Sequence, residues 1–409
     1  MQIREPCAGT RSPQPRPLPG GNHQTERSTG CAAEVLMFKR LVDTFFARSG
    51  TRGAPHAPPA GATHGNFNAP PPTHIEATGA MPLALKTVMR EENGFPVPDW
   101  DAIRTWLETL PDNDQQGAAW GRCELAWLQH LRAALGDGYR LRVDGQVALL
   151  SSQDDVSARA TLAFVNRARQ RIVRTLEGLA EVHDWGHDVV VVFDDHDTYY
   201  RYAANHYPDD GEFALSSGMY LGSGCGHFVT VKDQLDTIEP VIVHELTHAL
   251  LDHLPIPVWL NEGLAVNTEQ RFYPQMSGAH RGGHDAAQRH ARHQRFWGPA
   301  EIQQFWSGDS FHRPDEGNEL SYDLARILTA QFAADWPRFR NFANTADSAD
   351  GGAAAARAHL ELELGRAVCA LLEREYTAAH EPEPMRWKKE AKKLQETSGR
   401  RLMAQTPLS

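Results

Sequence analysis

The sequence predicts an α+β fold, in which a small mixed sheet is followed by a mostly helical C-terminal part. Three observations lead to this fold class. Residues 188–193 form an apolar run that is typical of a buried central strand. Two alternating segments flank the dipeptide Asp144-Gly145, a combination typical of a β-hairpin. After residue 235, apolar side chains recur mainly at helical spacing.

The first 80 residues predict no packed structure. They hold 11 of the 26 prolines and few aliphatic side chains, so they cannot bury enough apolar surface to offset the entropy lost on ordering. We therefore expect 1–80 to be a disordered Pro/Gly-rich segment. From residue 81 leucines and tryptophans recur at helical spacing and predict two or three helices. We assign them to an N-terminal helical region, 81–135.

Strands and helices alternate between residues 136 and 235. After the hairpin, one apolar face predicts a helix over 155–182. The central strand at 188–193 is followed by a helix around 197–205 and by a further strand at 226–231. This order of elements is typical of an α+β layout.

The rest of the chain predicts helices in succession and then a charged tail. The expected helices cover 237–254, 258–270, about 299–306, 319–335 and 357–378. We assign 136–380 to a single domain. Residues 381–409 form a charged C-terminal tail, whose basic run favours a solvated end over an interaction patch.

Composition excludes several classes of protein. The net charge of −11 argues against a nucleic-acid binder, which usually carries a basic face. No uncharged apolar stretch is long enough for a membrane span. The five cysteines are scattered and lack a CxxC pair, which argues against a disulfide framework or a cysteine-rich zinc module. The N-terminus does not resemble a signal peptide, so we expect a cytoplasmic protein; its oligomeric state is open.

The segment 244–248 reads His-Glu-Leu-Thr-His within an apolar helix. His244 and His248 are four residues apart, so both imidazoles can reach one metal ion from successive helical turns. Glu245 lies about 100° around the helix axis. It cannot easily bind the same ion, but it can touch a water molecule bound there, as a general base must.

A catalytic zinc site needs a third protein ligand, and Glu262 is the candidate. Pro255 and Pro257 end the first helix, which lets the next helix fold back antiparallel. We expect Trp259 to pack on the first helix and Gly263 to permit a close helix approach, so that Glu262 faces the histidines. The alternative is a helix with two ordinary histidines and a surface glutamate.

The two motifs, His244-Glu245-Leu-Thr-His248 and Trp259-Leu-Asn-Glu262-Gly-Leu-Ala265, resemble those of the gluzincin metallopeptidases, in particular the peptidase MA-like domains. The motif match covers 241–266, and a weaker pattern of strands and helices covers about 190–335. The resemblance implies a zincin-like catalytic domain that binds one Zn²⁺ through His244, His248 and Glu262. It also implies that Glu245 is the general base.

This chain departs from the thermolysin-type pattern at one position. The Glu-x-x-x-Asp motif is absent because residue 266 is valine, so the group that orients a zinc-bound histidine must come from elsewhere. Related families place a Tyr or His after the second zinc helix. The resemblance therefore implies that Tyr322 donates a hydrogen bond to the developing oxyanion, and packing of Tyr322 on the core is the alternative.

The resemblance implies a zinc-dependent metallopeptidase that hydrolyses peptide or protein substrates through a zinc-activated water. Two other functions remain open. The chain would be a binding or scaffold protein if it kept this fold without turnover. It would be a zinc hydrolase of another kind if its substrate were a non-peptide amide or ester.

Two further segments bear on the substrate. In gluzincins a strand before the zinc helix borders the cleft, so we expect the strand 226–231 to offer a free edge to an extended peptide. An internal strand is the alternative. Residues 277–295 are rich in His and Arg and predict a mobile polar loop near the cleft rather than a second metal site.

Overall fold

A computed structural model describes residues 67–182, 185–206, 218–222, 224–232, 235–274 and 286–387, with only the backbone of 235–237. These residues combine small sheets with helices, and the C-terminal part is helical. The predicted α+β class is confirmed. No helix among the residues that the structure describes is long and apolar enough to cross a membrane.

Two short hairpins and two helices precede the main sheet. The elements in chain order are β1 (His74–Ile75), β2 (Leu83–Ala84), the single turn α1 (Leu85–Val88), β3 (Met89–Glu92), β4 (Phe95–Pro98), α2 (Trp100–Leu107) and α3 (Asn113–Leu135). Strand β1 pairs with β2 and β3 pairs with β4, both antiparallel. The two predicted helices are therefore present, but residues 83–98 are mainly strands.

Residues 67–80, which we expected to be disordered, pack on helix α3. Ile75 is buried in the same core as Leu128. The Arg132 guanidinium and the Gln129 amide of α3 donate hydrogen bonds to the carbonyl oxygens of Ala69 and Phe67. The remainder of the segment 1–80, residues 1–66, lies outside the described residues.

The hairpin predicted at Asp144-Gly145 opens the main sheet. Strand β5 (Arg140–Asp144) pairs antiparallel with β6 (Val147–Ser151), and Asp144 stands opposite Val147. The two-residue turn between them places Gly145 at φ +60°, in the left-handed region that glycine adopts without strain. The turn therefore fixes the register of the first two strands.

The main sheet has five strands, in the spatial order β5-β6-β7-β9-β8. Its remaining strands are β7 (Asp188–Phe193), β8 (Gly218–Leu221) and β9 (His227–Val231). β6, β7 and β9 are parallel, whereas β5 and β8 pair antiparallel at the two edges. The prediction that β7 is central is confirmed.

The prediction that residues 226–231 offer a free edge is wrong. Strand β9 hydrogen-bonds to β7 on one side and to β8 on the other, so its backbone groups are used on both sides. The edge strand at this end of the sheet is β8. Strand order is set by long-range pairing, which the local sequence of a strand does not encode.

Alternate side chains of the sheet enter two different cores. In β7, Val189, Val191 and Phe193 face a core with α2, α3 and the helix His196–Ala203. Val190 and Val192 face the second core, on the other side of the sheet. Successive side chains of β7 point to opposite faces of the sheet, and both faces are buried. This explains why the run is apolar throughout.

Helices cover both faces of this sheet. Helix α4 (Asp155–Thr175) lies on the second core, and its N-terminus is capped by the Asp154 side chain, which accepts hydrogen bonds from two backbone N–H groups. Helix α5 (His196–Ala203) lies on the first core and is capped by Asp195. Both helices were predicted, although α4 is shorter than the expected 155–182.

The C-terminal part continues the second core as a series of helices. They are α6 (Leu235–Leu251), α7 (Val258–Phe272), α8 (Ala286–Phe296), α9 (Pro299–Ser307), α10 (Gly317–Phe332), α11 (Trp336–Thr345), the short α12 (Ala353–Ala355), and α13 (Leu364–Leu371). Four of the five predicted helices are present, and α8 and α11 were not predicted. The continuous helix expected over 357–378 is wrong, because a π-helical turn ends at Leu360 and Glu361 has φ +57°.

Candidate metal centre

The two histidines of the motif lie side by side in the middle of helix α6. Their Nε2 atoms are 3.0 Å apart and their ring centroids are 4.8 Å apart. The same helix packs Ile242, Leu246 and Leu250 in the core under the sheet, together with Val190. Because the apolar face fixes the helix on the sheet, both imidazoles point to one position on another face, as their spacing predicts.

Glu262 reaches this position from helix α7. Its Oε2 lies 3.3 Å from Nε2 of His244 and 3.5 Å from Nε2 of His248. The side chain is fully buried, with an exposed fraction of 0%. The three ligand atoms lie within 4.8 Å of one another, so His244, His248 and Glu262 form a buried group that could hold a metal ion.

The surroundings of Glu262 fit a metal ligand. Neither carboxylate oxygen accepts a hydrogen bond of normal geometry, so the two imidazoles are its nearest polar partners. A buried carboxylate without compensation is strongly destabilising. Two imidazole nitrogens and one carboxylate oxygen are the donor set of catalytic zinc sites, which leave a fourth position open.

The buried charges shift the pKa values of all three ligands. Burial by itself would raise the pKa of Glu262, but the two imidazoles lower it to about 2. Burial would lower the pKa of His244, but its contacts with Glu262 and Glu269 raise it to about 10. The pKa of His248 is raised as well, because the attraction of Glu262 outweighs burial. In the metal-free protein these groups therefore form a buried ion pair.

The turn between α6 and α7 brings the third ligand to the histidines. Helix α6 ends at Leu251, and α7 begins after Pro257, whose carbonyl accepts the first bonds of that helix from Leu260 and Asn261. The carbonyl oxygen of Pro255 accepts a hydrogen bond of 2.8 Å from the backbone N–H of Ser348. The fold thus anchors the predicted antiparallel helix pair at its turn.

Two side chains that the sequence did not predict complete the contacts of the imidazoles. Nδ1 of His248 donates to Oδ1 of Asn261 at 2.9 Å. Nδ1 of His244 contacts a carboxylate oxygen of Glu269 at 3.3 Å. No motif indicated either residue, although the absence of an acceptor at Val266 required another one nearby.

Glu245, the candidate general base, is buried beside this group but does not belong to it. Burial raises the pKa of its carboxyl group, and the two imidazoles partly oppose this shift. A raised pKa suits a group that must accept a proton and then release it near neutral pH. The structure thus places Glu245 next to the three ligands, as the helical spacing predicts.

Tyr322, the candidate hydrogen-bond donor, lies on helix α10. Its ring packs edge-on against Phe311, with 5.2 Å between the ring centroids. Burial raises the pKa of its hydroxyl well above the usual range, and the charges of Glu262 and Glu245 raise it further. The hydroxyl is therefore within electrostatic reach of both carboxylates and stays protonated at neutral pH.

The helix that carries Glu262 packs against α10 as well as against α6. A Cβ atom on Gly263 would lie 2.1 Å from Oγ1 of Thr329 and 2.5 Å from the carbonyl oxygen of Ala325. Gly263 therefore permits a close approach to α10, not to α6. Trp259 packs its ring against aromatic side chains of the C-terminal helices, namely Phe305, Trp306, Phe332 and Phe342.

The prediction of a polar loop over 277–295 is wrong for its described part. Residues 286–296 form helix α8, and His293 is buried in it. Nε2 of His293 contacts Asp323 at 2.9 Å, and Nδ1 accepts a hydrogen bond from the Trp297 indole. This histidine therefore fastens α8 to α10. Residues 275–285 lie outside the described part of the chain.

Comparisons with known proteins give no family for this chain. No family model matches it, and neither the curated proteins nor the solved structures contain a significant match. The chemistry of the chain therefore has to be inferred from the geometry of the site.

Proposed function

We propose that this chain is a zinc-dependent metallopeptidase that hydrolyses peptide bonds. The observation that supports the proposal most strongly is the buried Glu262 carboxylate, which faces two imidazole nitrogens at 3.3 and 3.5 Å and has no hydrogen bond of normal geometry. A folded protein keeps such a carboxylate where a cation or a charged partner stabilises it.

Zn²⁺ is the metal that this donor set favours. Two histidines and one glutamate are the ligands of a large class of catalytic zinc sites. When bound, zinc supplies Lewis acidity, which lowers the pKa of bound water and polarises a carbonyl oxygen. The cysteines among the described residues lie outside the three-ligand group, so thiolate ligation plays no part here.

Glu245 acts as the general base in this proposal. Glu245 follows His244 directly in helix α6, and its carboxylate lies outside the ligand group. It can therefore contact water without taking a coordination position on the metal. It accepts a proton from the attacking water and then delivers that proton to the leaving amine. Its raised pKa makes the first transfer easier, because a carboxylate with a raised pKa is a stronger base toward the proton of the water.

Tyr322 donates a hydrogen bond to the oxyanion that develops on the scissile carbonyl. Its hydroxyl stays protonated, because burial and the neighbouring carboxylates disfavour the phenolate. Removing a donor of this kind typically costs about 3–4 kcal/mol of transition-state stabilisation.

Strand β8 is the candidate docking edge for the substrate. It is the edge strand next to β9, and no strand of the described residues pairs with its outer side. An extended peptide can hydrogen-bond to such an edge and add one strand to the sheet. Helix α6 also contacts β8, since a Cβ atom on Gly218 would lie 2.1 Å from Cδ1 of Ile238.

The test compares wild-type protein with Glu245→Gln. We expect the variant to bind one zinc ion and to lose hydrolysis by about 10²- to 10⁴-fold, since general-base catalysis contributes on that scale. Metal content is measured on the purified protein, and cleavage is measured with a peptide library in the presence and absence of a chelator. Glu239→Gln is a matched control on the same helix, because Glu239 accepts a hydrogen bond from Tyr273 and lies outside the three-ligand group.

Other outcomes would identify the alternatives. Wild-type protein that binds zinc but cleaves no peptide in the library would be a silent binding protein. Protein that instead hydrolyses small esters or amides would be a zinc hydrolase of another kind. Unchanged hydrolysis in Glu245→Gln would exclude the general-base role.

A further inference from the structure

A cavity of about 550 Å³ lies in the N-terminal part of the protein, outside the candidate metal centre. Its lining comes from residues 73–74, from α1, from the hairpin of β3 and β4, and from the C-terminal half of α3. It includes no residue of α6 or α7. Binding sites for small molecules usually have volumes of about 300–1,000 Å³. The cavity is therefore large enough for a small ligand, and the metal chemistry does not account for it.

The floor of the cavity is apolar and is held in place by the core beneath it. Leu85 and Phe95 form this floor; they are only 2% and 1% exposed and belong to the first core. The Phe95 ring packs edge-on against the ring of Tyr202, with 5.4 Å between the centroids. The carbonyl oxygen of Pro96 accepts a hydrogen bond of 3.2 Å from the Trp127 indole. Because these contacts fix the floor before any ligand arrives, an apolar side chain can pack on it without prior rearrangement.

One wall of the cavity is fixed by hydrogen bonds between separate elements. Nε2 of His130, on α3, donates to the carbonyl oxygen of Pro72 at 2.8 Å, and this contact fastens residues 72–74 to the helix. The backbone N–H of Leu85 donates to the carbonyl oxygen of Thr73 at 3.0 Å, which joins α1 to the same wall. The cavity is therefore formed by several packed elements and not by a single loop.

Two opposite charges at this cavity have no ion-pair partner among the residues that the structure describes. They are the ammonium group of Lys86 on α1 and the carboxylate of Glu91 on β3, and both residues are exposed. The guanidinium group of Arg90 is already engaged, since it lies 3.1 Å from the carboxylate of Glu92. Lys86 and Glu91 are not paired with each other either, so the cavity presents a cation and an anion at separate positions.

The two charges are separated by the span of a short peptide. Two helical steps of about 1.5 Å and three strand steps of about 3.3 Å place the Cα atoms of Lys86 and Glu91 at most about 13 Å apart. Their side chains can shorten this distance by reaching over the cavity. The charged ends of an extended dipeptide or tripeptide are about 7–10 Å apart, at 3.3–3.6 Å per residue. A free amino acid, whose ammonium and carboxylate groups are adjacent, is too short to reach both.

The cavity also lies along the edge of strand β3. Successive side chains of a strand point to opposite faces, yet Met89, Arg90 and Glu91 all line the cavity. In the described part of the chain β3 pairs only with β4, so no strand covers the backbone groups on its other side. An extended peptide can bond to such an edge through its own backbone, and this favours a peptide over other zwitterions.

We propose that this cavity binds a dipeptide or tripeptide with free ends and apolar side chains. The carboxylate of the peptide pairs with Lys86, its ammonium group pairs with Glu91, and an apolar side chain packs on Leu85 and Phe95. The inference does not depend on the proposed function, because the cavity shares no residue with the metal centre.

The experiment titrates trileucine into the full chain carrying Glu245→Gln, in which the proposed hydrolysis is removed. Isothermal titration calorimetry should show saturable binding. Adding Ala134→Trp should abolish it, because Ala134 is exposed on α3 and lines the cavity, so an indole there fills the space. Ala133→Trp is the matched control, since Ala133 is exposed on the same helix but lies outside the lining.

Blocking either end of the peptide tests the two ion pairs. N-acetyl-trileucine and trileucine amide each lose one charge and should bind about 2- to 5-fold more weakly, the range for an exposed ion pair. Lys86→Met should remove only the preference for the free carboxylate, and Glu91→Gln only the preference for the free ammonium group. These two variants decide if Ala134→Trp fails to fold. Equal binding of all three peptides to the unsubstituted cavity would overturn the roles of the two charges.

A second readout locates the bound peptide. In NMR spectra of protein labelled with ¹³C in the methionine methyl groups, the Met89 signal should shift on titration, whereas that of Met219 on β8 should not. A shift of Met219 with Met89 unchanged would place the peptide at the sheet edge proposed for the substrate and overturn this inference. Absence of saturable binding, or binding that Ala134→Trp leaves unchanged, would also overturn it. Protein that binds trileucine in the cavity but takes up no zinc would refute the proposed function alone.

Discussion

At the scale of single residues, the charge of the metal-free site is set by Glu262 and the two histidines. Both Nδ1 atoms donate to side chains of α7, yet the Nε2 atoms are only 3.0 Å apart. Such a contact between two nitrogens needs a proton on one of them. The raised pKa of His244, about 10, agrees with an additional proton on this pair.

We expect zinc binding to release at least one proton at pH 7.5, since His244 must lose its Nε2 proton to bind the metal. Zinc affinity should therefore rise with pH between 6 and 9. Isothermal titration calorimetry in two buffers of different ionisation enthalpy measures the number of protons released. Zinc binding without proton release would show that the imidazoles are neutral before the metal arrives.

The stability of the metal-free protein should depend on pH in the opposite sense to the zinc affinity. The folded pKa of His244 lies above its ordinary value of 6.5, so its contribution to stability is complete below pH 6.5 and is lost as pH rises through about 10. The pKa of Glu262 lies below its ordinary value of 4.5, so its contribution is complete above pH 4.5 and is lost as pH falls through about 2. Thermal unfolding in the presence of a chelator should therefore show that these two groups stabilise the metal-free protein most between pH 4.5 and 6.5. Destabilisation of the metal-free protein within that window relative to pH 9 would contradict the ion pair.

Tyr322→Phe tests the hydrogen-bond donor. Loss of one hydroxyl should lower kcat by about 10²- to 10³-fold, while KM and zinc content stay close to wild type, because the bond forms in the transition state. Steady-state kinetics and metal analysis separate these quantities. A change confined to protein stability, with normal kcat, would assign Tyr322 to packing against Phe311.

The sequence predicted the ligand group of this site but not its supporting contacts. The i, i+4 spacing of His244 and His248 is a property of one helix, and Glu262 follows a turn marked by two prolines. Asn261 and Glu269 contact the histidines of another helix, and no local sequence pattern encodes a contact between two helices. Zinc binding and the roles of Glu245 and Tyr322 remain predictions.

At the scale of secondary-structure elements, the contact between α7 and α10 determines where Glu262 can lie. The close approach at Gly263 leaves no room for a side chain, as the distances to Thr329 and Ala325 show. A second contact crosses the same interface, because the Asn267 amide donates to the carbonyl oxygen of Arg326 at 2.9 Å. Helix α7 is thus held against α10 by the residues that follow Glu262.

Gly263→Ala should destabilise the protein by about 1–3 kcal/mol, the usual cost of overpacking a core. Thr329→Ala in the same chain should restore only part of this loss, because the carbonyl oxygen of Ala325 stays in place. Denaturant unfolding measures both effects. Gly138→Ala is the control, since a Cβ at Gly138 has no heavy atom within 4 Å. If Gly263→Ala were as stable as Gly138→Ala, the close approach of α7 to α10 would be contradicted.

Elements with a strong local pattern were predictable, and those without one were not. The apolar run of β7 and the Asp144-Gly145 turn are visible in a few residues. Strand β1 has two residues, which is too short for any periodicity. Helix α8 is rich in His and Arg, and its single buried side chain is itself a histidine, so it lacks the apolar stripe that marks a surface helix.

At the scale of the whole molecule, the N-terminal elements and the main sheet share one core. Ile103 of α2 and Leu128 of α3 lie in the same buried cluster as Val189 and Val191 of β7. Glu124 of α3 joins the two parts through polar contacts, since its carboxylate contacts His187 at 2.9 Å and accepts a bond from Cys225 at 3.4 Å. The boundary at 135/136 therefore crosses a continuous core.

A chain that begins at residue 136 should not fold into a native structure. It would expose the sheet face formed by Ala148, Leu150, Val189 and Val191, all of which are fully buried. We expect aggregation or loss of the near-ultraviolet circular dichroism signal. A chain of 67–409 is the control, since it keeps both cores. Cooperative unfolding of the 136–409 chain at the wild-type temperature would show that 136–380 is an independent domain.

The third ligand and both imidazole acceptors lie within a span of nine residues on one helix, Asn261 to Glu269. One residue inserted between Val258 and Asn261 would rotate all three by about 100° and carry them away from the histidines together. Metal affinity in such a protein would vanish at a single step rather than decline gradually. Natural variants of this chain should accordingly conserve the length of this stretch more strictly than its apolar composition.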